Sequence, residues 1–435
     1  GEFYYGPQKW IMNNLNITHQ SKSKLFDEMS LRLAHQFFEE SRVSRNINNP
    51  NREIRTEKVN AYSLNTDFSK ATSEKNKVFY GFEYVLNDVN STGINEDIVV
   101  GSSTVGPARY PQATWQSIGV YMNDQYKISE KTLLQAGLRY NQFILKADFD
   151  TTFYPFPFTE ANIDNGSLTG SAGIVFRPTD KWVISSNVAT AFRSPNVDDV
   201  GKVFDSEPGS VVIPNPNLEA EYAYNVDLNV AKMFGKSVKV DVSTYYTLLD
   251  NALVRRDFTL NGASEIVYDG ELSQVQAIQN AAKANVYGIQ AGVEVKLPTG
   301  FRFSTDLNFQ KGEEELDIGD KSPSRHAAPF FGISRVGYVN SKLDLEVNLQ
   351  FSDEVAYEDL AEEEKGKKEI YAIDGNGNPY SPSWYTLNLK SMYKLTENFT
   401  LTAGLENITD QRYRPYSSGI VAPGKNFILA LRAKF

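Results

Sequence analysis

Short polar turns recur along the chain and separate stretches in which apolar and polar residues alternate. The short turns lie near residues 21–24, 73–76, 129–131, 178–181, 234–237, 298–300, 340–342 and 396–398. Longer, irregular connections lie between them, near residues 46–54, 90–112, 148–165, 194–218, 258–283, 312–324, 353–382 and 415–425. This alternation of short and long connections is typical of a membrane barrel with tight periplasmic turns and larger outside loops.

Period-two alternation predicts the strands between these connections. In the last strand Phe427, Leu429 and Leu431 share one face, and Arg432 and Lys434 lie on the other. Lipid would contact the apolar face. Counting such segments predicts about 17 strands, joined by eight short turns and eight long loops. A soluble antiparallel sandwich also alternates, but it lacks the asymmetry between short and long connections.

The predicted strand number is odd, whereas bacterial single-chain barrels have even numbers and keep both termini in the periplasm. The first predicted strand, near residues 9–20, would descend from the outside. We therefore expect an all-β, transmembrane antiparallel β-barrel of which residues 1–435 are the C-terminal major part. If the complete barrel has about 22 strands, about five strands and anything that precedes them are expected to be missing from this chain.

Composition narrows the choice of class. The chain has 24 Tyr, 26 Phe and no Cys, a balance that favours strands and turns and leaves no disulfide or thiolate chemistry. No run approaches the roughly 18 apolar residues of a transmembrane helix, so a helical membrane protein is excluded. The net charge of -10, without a basic block, predicts no nucleic-acid partner. With only three His and no local triad signature, we expect no catalytic site, no metal site and no cofactor.

Several segments carry a family resemblance. Residues 118–140 (IGVYMNDQYKISEKTLLQAGLRY) and 170–195 (GSAGIVFRPTDKWVISSNVATAFRSP) resemble consecutive mid-barrel hairpins of TonB-dependent outer-membrane receptors. Residues 404–414 (GLENITDQRYR), followed by a last strand ending in Phe435, are similar to the C-terminal signature of that family. Residues 371–389 resemble receptors of Bacteroidota. The family is built as a 22-stranded barrel plugged by an N-terminal domain, and the resemblance implies that this plug domain is missing from the present chain.

The resemblance implies a multi-pass receptor in the outer membrane of a Gram-negative bacterium, surrounded by outer-membrane lipids. It implies active import of a scarce ligand, a ferric siderophore or another iron complex such as haem. Energy would come from the TonB-ExbB-ExbD complex, which the family engages through its N-terminal part. Two alternatives stay open, a passive or protein-secreting pore and a structural or adhesion barrel. A plug preceded by a TonB-binding segment would distinguish transport from a pore.

The loop that follows Arg193 is the first candidate binding site, because binding residues concentrate on loops held by a rigid scaffold. Residues 192–195 (FRSP) and 215–219 (NPNLE) resemble the FRAP and NPNL boxes of haem-transporting receptors. Residues 196–214 contain no His, Tyr or Met, so this loop is not expected to supply an axial haem ligand. The alternative is that both boxes shape a strand end and a turn.

An aromatic loop at residues 151–159 (TTFYPFPFT) is the second candidate. It places Phe153, Tyr154, Phe156 and Phe158 among prolines that stiffen the chain, and such a surface could stack on a planar ligand. The alternative is a loop that packs on itself.

Three further places hold charged candidates. Arg255 and Arg256 at a strand end could bind a carboxylate or an anionic metal chelate, or could instead pair with a carboxylate of the plug. Arg325 and His326 at the base of an outer loop could meet a ligand, the alternative being ordinary strand-end polar residues. The acidic run at residues 358–364 is predicted to be a solvated loop.

Overall fold

The computed structural model describes residues 1–154, 156–201, 205–207, 209–268, 271–315, 320–325 and 327–434. The side chains of residues 205–207, 271, 281, 282 and 363 lie outside this description, as do the predicted ligand residue His326 and the terminal Phe435.

Within the described residues, seventeen long strands form one antiparallel sheet, the wall of a β-barrel, as predicted. They are β1 (Lys9–Gln20), β2 (Glu28–Arg45), β3 (Asn51–Ala71), β4 (Asn76–Asp97), β5 (Gln112–Ser129), β6 (Thr132–Asp148), β7 (Glu160–Phe176), β8 (Trp182–Arg193), β9 (Glu221–Phe234), β10 (Val238–Asp257), β11 (Glu271–Lys296), β12 (Phe301–Glu315), β13 (Phe331–Val339), β14 (Leu343–Ser352), β15 (Trp384–Lys394), β16 (Phe399–Glu406) and β17 (Asn426–Ala433). Each long strand pairs with the next along the chain.

Short strands and helical turns lie in the connections between the long strands. The short strands are Glu2–Tyr5, Ser102–Gly106, Asp205–Glu207, Ser210–Ile213, Glu265–Tyr268, Lys321–Pro323, Ala372–Ile373 and Pro379–Tyr380. The helical turns are Val197–Gly201, Tyr357–Asp359 and Glu362–Lys365. Among the residues in view, no helix has the length and apolarity that crossing a membrane requires.

The two faces of the sheet differ as the alternation predicts. Val120 lies opposite Tyr140, which lies opposite Leu168, and all three side chains are exposed on the outward face. Charged pairs occupy the other face, for example Arg139 with Glu83 at 2.7 Å. Apolar residues outside and polar residues inside are the arrangement of a barrel that has lipid around it and water within.

Several strands extend further outward than the sequence predicts. We expected loops at 46–54, 90–112, 148–165 and 258–283, but β3 begins at Asn51, β4 ends at Asp97, β7 begins at Glu160 and β11 begins at Glu271. Beyond the bilayer a strand no longer needs an apolar face, so the alternation fades while the ladder of backbone hydrogen bonds continues. The 26 residues of β11 reach about 85 Å, whereas a crossing needs only about 9–11 residues.

Candidate functional site

Three outer loops meet in one hydrophobic cluster, termed here the apolar loop cluster. It joins the loops after β6, β8 and β10 and the strand ends beneath them. Its buried members are Ala113, Leu145, Ala147, Phe149, Phe156, Ala161, Ile163, Val200, Val211, Ile213, Leu218, Leu260, Val275 and Ala277. Because a barrel wall has no core of its own, this cluster is the main apolar core among the described residues.

The loop after β8 is anchored by backbone pairing and by the predicted NPNL box. Its short strand Ser210–Ile213 pairs in parallel with residues 274–277 of β11. Asn215 donates from Nδ2 to the carbonyl of Ile278 at 2.8 Å, and Asn280 Oδ1 accepts from the backbone N–H of Glu219 at 2.8 Å. The box thus fixes the return of the loop onto the barrel, which corresponds to the turn-shaping alternative.

Arg193 is held by two carboxylates at the end of β8. Its Nη1 lies 2.8 Å from Asp199 Oδ2, and its Nε lies 2.5 Å from Glu221 Oε1. Asp199 also accepts the backbone N–H of Asn196 at 3.0 Å. The guanidinium therefore ties the loop to two strands, and its contact with a ligand stays a prediction.

The helical turn Val197–Gly201 is bound to the loop after β4. Tyr110 donates its hydroxyl to Asp198 Oδ1 at 2.7 Å. Burial, reinforced by this hydrogen bond to a carboxylate, raises the pKa of Tyr110 far above its usual value. A Cβ added at Gly201 would stand 2.6 Å from the Pro111 ring, so this close approach requires glycine.

The aromatic loop at residues 151–159 packs on itself, which was the alternative to a ligand-stacking surface. Phe156 is 8% exposed, and its ring is stacked on Phe158 with centroids 5.5 Å apart. Phe158 meets Phe149 edge-on at 5.1 Å. Phe153 and Tyr154 are half-buried, and burial raises the pKa of the Tyr154 hydroxyl. Since Phe156 is enclosed, it has no free face to stack on a ligand, while a role for Phe153 stays a prediction.

A second group of outer loops closes around a buried carboxylate. Glu364 is fully buried, and it receives Arg325 Nε at 2.7 Å, Lys367 Nζ at 2.9 Å and the hydroxyl of Tyr371 at 2.5 Å. Arg325 Nε also lies 3.3 Å from Ser417 Oγ. These five residues, termed the ionic loop cluster, join the loops after β12, β14 and β16.

The solvated loop predicted for residues 358–364 is therefore wrong at Glu364, although Glu358 and Glu362 are exposed. Burial favours a raised pKa for Glu364, but the hydrogen bonds from Tyr371 and Lys367 outweigh it and hold the pKa below its usual value. The overlooked signal was the apolar pair Leu360 and Ala361 inside the acidic run, since both are fully buried.

A cavity of about 640 Å³ lies in the inner wall beside the ionic loop cluster. Its polar lining includes two register rows of β10 to β15. They contribute Asp241, Ser243, Gln290, Asp306, Asn308, Gln350 and Ser352. Phe331, Trp384 and Tyr416 add aromatic surface, and Trp384 is stacked on Tyr413 with centroids 4.2 Å apart.

The lining of this cavity includes one buried acceptor, the side-chain oxygen of Asn308. Its Oδ1 is buried and accepts no hydrogen bond from the part of the chain that the structure describes. A buried acceptor without a donor is costly, and it suits a site where another molecule supplies the donor. Asn308, Trp384 and Tyr416 were missed from the sequence, because only strand register and a returning loop bring them together.

Arg255 and Arg256 do not converge on one ligand. They are neighbours in β10, opposite Ile278 and Ala277 of β11, so their side chains point to opposite faces. Arg256 Nη2 donates to the carbonyl of Glu315 at 2.8 Å. Strand geometry thus separates the two guanidinium groups, and recognition of an anion by either arginine stays a prediction.

Known proteins resemble the chain over nearly its full length. Residues 2–408 match the family described as TonB dependent receptor-like, beta-barrel. A probable TonB-dependent siderophore receptor, PiuA of Acinetobacter baumannii, is 22% identical over 86% of this chain and 50% of its own length. A hemoglobin and hemoglobin-haptoglobin-binding protein of Haemophilus ducreyi is 25% identical over 57% of this chain and 27% of its own length.

Solved structures of other proteins have the same fold as this chain. The copper transporter OprC superposes with a TM-score of 0.81 and 14% identity over 100% of this chain and 66% of that one. The siderophore receptor PiuA of Acinetobacter baumannii superposes with a TM-score of 0.69 and 16% identity over 98% and 64%. Of the two curated relatives, in contrast, this chain spans about half or less of the length. With a family match from residue 2 to residue 408, the chain belongs to the TonB-dependent receptor β-barrel family.

Proposed function

We propose that this protein is an outer-membrane receptor that captures an iron complex on its outer side and imports it through the barrel. The observation that carries the proposal is the cavity in the inner wall, with its unpaired acceptor and aromatic surface, in a barrel of this receptor family. Relatives named as siderophore and hemoglobin-binding receptors support iron complexes as the cargo class.

Ligand capture needs no covalent chemistry. Phe331, Trp384 and Tyr416 offer surface for the rings of a chelate, and Asn308 Oδ1 accepts a hydrogen bond from a ligand hydroxyl or amide. The two acidic residues of the lining are already compensated, because Asp241 pairs with Lys239 at 2.8 Å and Asp306 pairs with Arg335 at 2.6 Å. A ferric siderophore is favoured over haem, since residues 196–214 hold no side chain suited to coordinate haem iron.

Transport would use parts of the protein and partners beyond this chain. In the proposed cycle the outer loops and a plug domain enclose the ligand, and the TonB-ExbB-ExbD complex drives a rearrangement of the plug. Outer-membrane lipids contact the apolar outward rows. This placement puts the eight short turns in the periplasm and the two loop clusters outside the cell.

Binding of a ligand panel to the purified native protein tests the cargo. Ferric catecholate and hydroxamate siderophores, haem and cobalamin are titrated by intrinsic fluorescence. We expect one ferric siderophore to bind with a Kd below about 1 μM, where specific receptors operate. Failure of every iron complex to bind more tightly than that contradicts the cargo assignment.

Site variants test the cavity separately. We expect Asn308→Ala to weaken siderophore binding about fivefold, the value of one hydrogen bond, and Trp384→Ala about thirtyfold. Gln310→Ala is the matched control: this side chain lies on the same face of β12 but bonds Tyr245 at 3.1 Å instead of lining the cavity. Equal losses in all three variants would remove the cavity from the proposal. Uptake that persists without TonB would favour the passive pore.

A further inference from the structure

One lysine interrupts the apolar rim that the barrel presents to lipid at its short-turn ends. From β8 to β17 the outward position nearest each short turn is apolar or aromatic. These positions are Trp182, Phe234, Val238, Val295, Phe301, Tyr338, Leu343, Tyr393, Phe399 and Ala433. Lys232 lies on the same outward row of β9, between Val230 and Phe234. Among the three outward positions next to each of these turns, it is the one charged residue in the described strands.

Two aromatic rings hold the ammonium group of Lys232. Its Nζ lies 4.3 Å from the ring centroid of Trp182 and 4.4 Å from that of Phe234. Trp182 is its direct cross-strand neighbour. Cation–π contacts at this distance are attractive and fix the position of the charge. No oxygen atom of the residues that the structure describes accepts a hydrogen bond from this ammonium, and an aromatic ring does not replace such an acceptor.

No carboxylate neutralises this charge within the described part of the chain. The adjoining turns hold the basic residues Arg177, Lys181 and Lys236 and one acidic residue, Asp180, which forms no ion pair with Lys232. An ammonium on a lipid-facing surface is costly unless a counter-charge accompanies it. At the depth of the membrane boundary that counter-charge is the phosphate of a phospholipid, toward which lysine side chains extend.

We propose that Lys232, clamped by Trp182 and Phe234, binds the phosphate of a phospholipid in the periplasmic leaflet. The rings cover the acyl-glycerol side of the lipid, where aromatic residues favour the interface, and the ammonium pairs with the phosphate oxygens. This site is separate from ligand capture, since it lies on the outward face at the opposite end of the barrel from the loop clusters.

Native mass spectrometry of the protein purified from outer membranes tests the site. Phosphatidylglycerol is titrated into protein in a nonionic detergent, with diacylglycerol as the lipid that lacks phosphate. We expect Lys232→Gln to bind phosphatidylglycerol about fivefold more weakly than the native protein, the effect of one basic residue at a membrane surface. Lys232→Arg is expected to retain binding. Lys236→Gln removes the same charge from the adjacent turn, and we expect less than a twofold change.

The outcomes separate the proposal from its rivals. Unchanged affinity in Lys232→Gln, or an equal loss in Lys236→Gln, overturns it, since a specific site would then not exist. Diacylglycerol binding that falls as much as phosphatidylglycerol binding also overturns it, because the phosphate would not be recognised. Inorganic phosphate that displaces the lipid at low millimolar concentration would reassign the site to a free anion and overturn the lipid assignment. Lys232→Arg serves as the folding control.

Discussion

The loops after β6, β8 and β10 are held by apolar packing, whereas those after β12, β14 and β16 are held by hydrogen bonds and ion pairs to one carboxylate. In the first group Val200, Val211 and Val275 are fully buried. In the second group the fully buried Glu364 carries the contacts of three basic or hydroxyl side chains. One barrel therefore closes its outer end in two physically different ways.

Strand length accompanies this difference. The strands that flank the apolar loops, β6 to β11, have 12 to 26 residues, and the longest of them raise their loop well above the bilayer. The strands that flank the ionic loops, β12 to β17, have 8 to 15 residues, so most of these loops begin close to the inner wall and its cavity. Long strands supply area for a hydrophobic core beyond the bilayer. Short strands leave polar groups near the lumen, and these groups must be paired.

The largest effect is expected from Phe156→Ala. Truncating a buried phenylalanine leaves a cavity and costs about 3–5 kcal/mol. The three apolar loops should lose hydrogen-exchange protection while residues 407–425 keep theirs. Phe153→Ala, at a half-buried position, is the control and should have the smaller effect. Equal loss of protection in both loop groups would show that the two clusters form one unit.

The next effect is expected from Glu364→Ala. Removing the buried carboxylate leaves the charges of Arg325 and Lys367 uncompensated, and we expect the loops to lose about 3 kcal/mol of stability. Hydrogen exchange should rise in the loops after β12, β14 and β16 but not around Val200. Glu362→Ala breaks an exposed pair with Lys365 at 2.6 Å, which is worth less than about 1 kcal/mol. If both variants behave alike, Glu364 does not hold these loops.

A smaller effect is expected from Arg193→Ala, the ionic link at the edge of the apolar loop cluster. Its loss leaves Asp199 and Glu221 without their cationic partner. Because these charged hydrogen bonds are partly exposed, we expect the loop to lose about 2 kcal/mol of stability. Proteolysis within residues 194–220 should accelerate while siderophore affinity changes little. A large loss of affinity with unchanged proteolysis would instead place Arg193 at the ligand, as the sequence suggested.

Mild acid should give the smallest effect and still separate the two clusters. The pKa of Glu364 is depressed in the folded protein, so its stabilising contribution is present above the ordinary value of 4.5 and is lost as the pH falls through the folded pKa. Hydrogen exchange in residues 407–425 should rise below about pH 4.5. Tyr154 in the apolar loop cluster responds to pH in the opposite direction. Its pKa is raised in the folded protein, so its contribution to stability is present in acid and is lost only above about pH 10. Acid opening of the apolar loops first would contradict this assignment.

Sequence patterns predicted much of the fold but little of the candidate site. The first strand at residues 9–20, the number of long strands and the outward row ending at Leu431 all follow from alternation. Loop boundaries were less accurate, because alternation fades where strands leave the bilayer. Of the predicted ligand residues, Arg193, Phe156 and Arg325 make contacts that hold loops in place, and a single residue type in the sequence does not reveal such partners. Ligand contact by Arg193 and Arg325 stays a prediction.

The sequence by itself determined that this protein is an antiparallel barrel, because a bilayer imposes a period of two on every strand that crosses it and the residues record that period directly. Tertiary structure alone decided that Glu364 is buried, that Asn308 and Trp384 share a cavity, and that Lys232 sits between two rings. Those facts depend on which residues from distant strands and loops become neighbours, and strand register and loop packing fix that only in the folded chain.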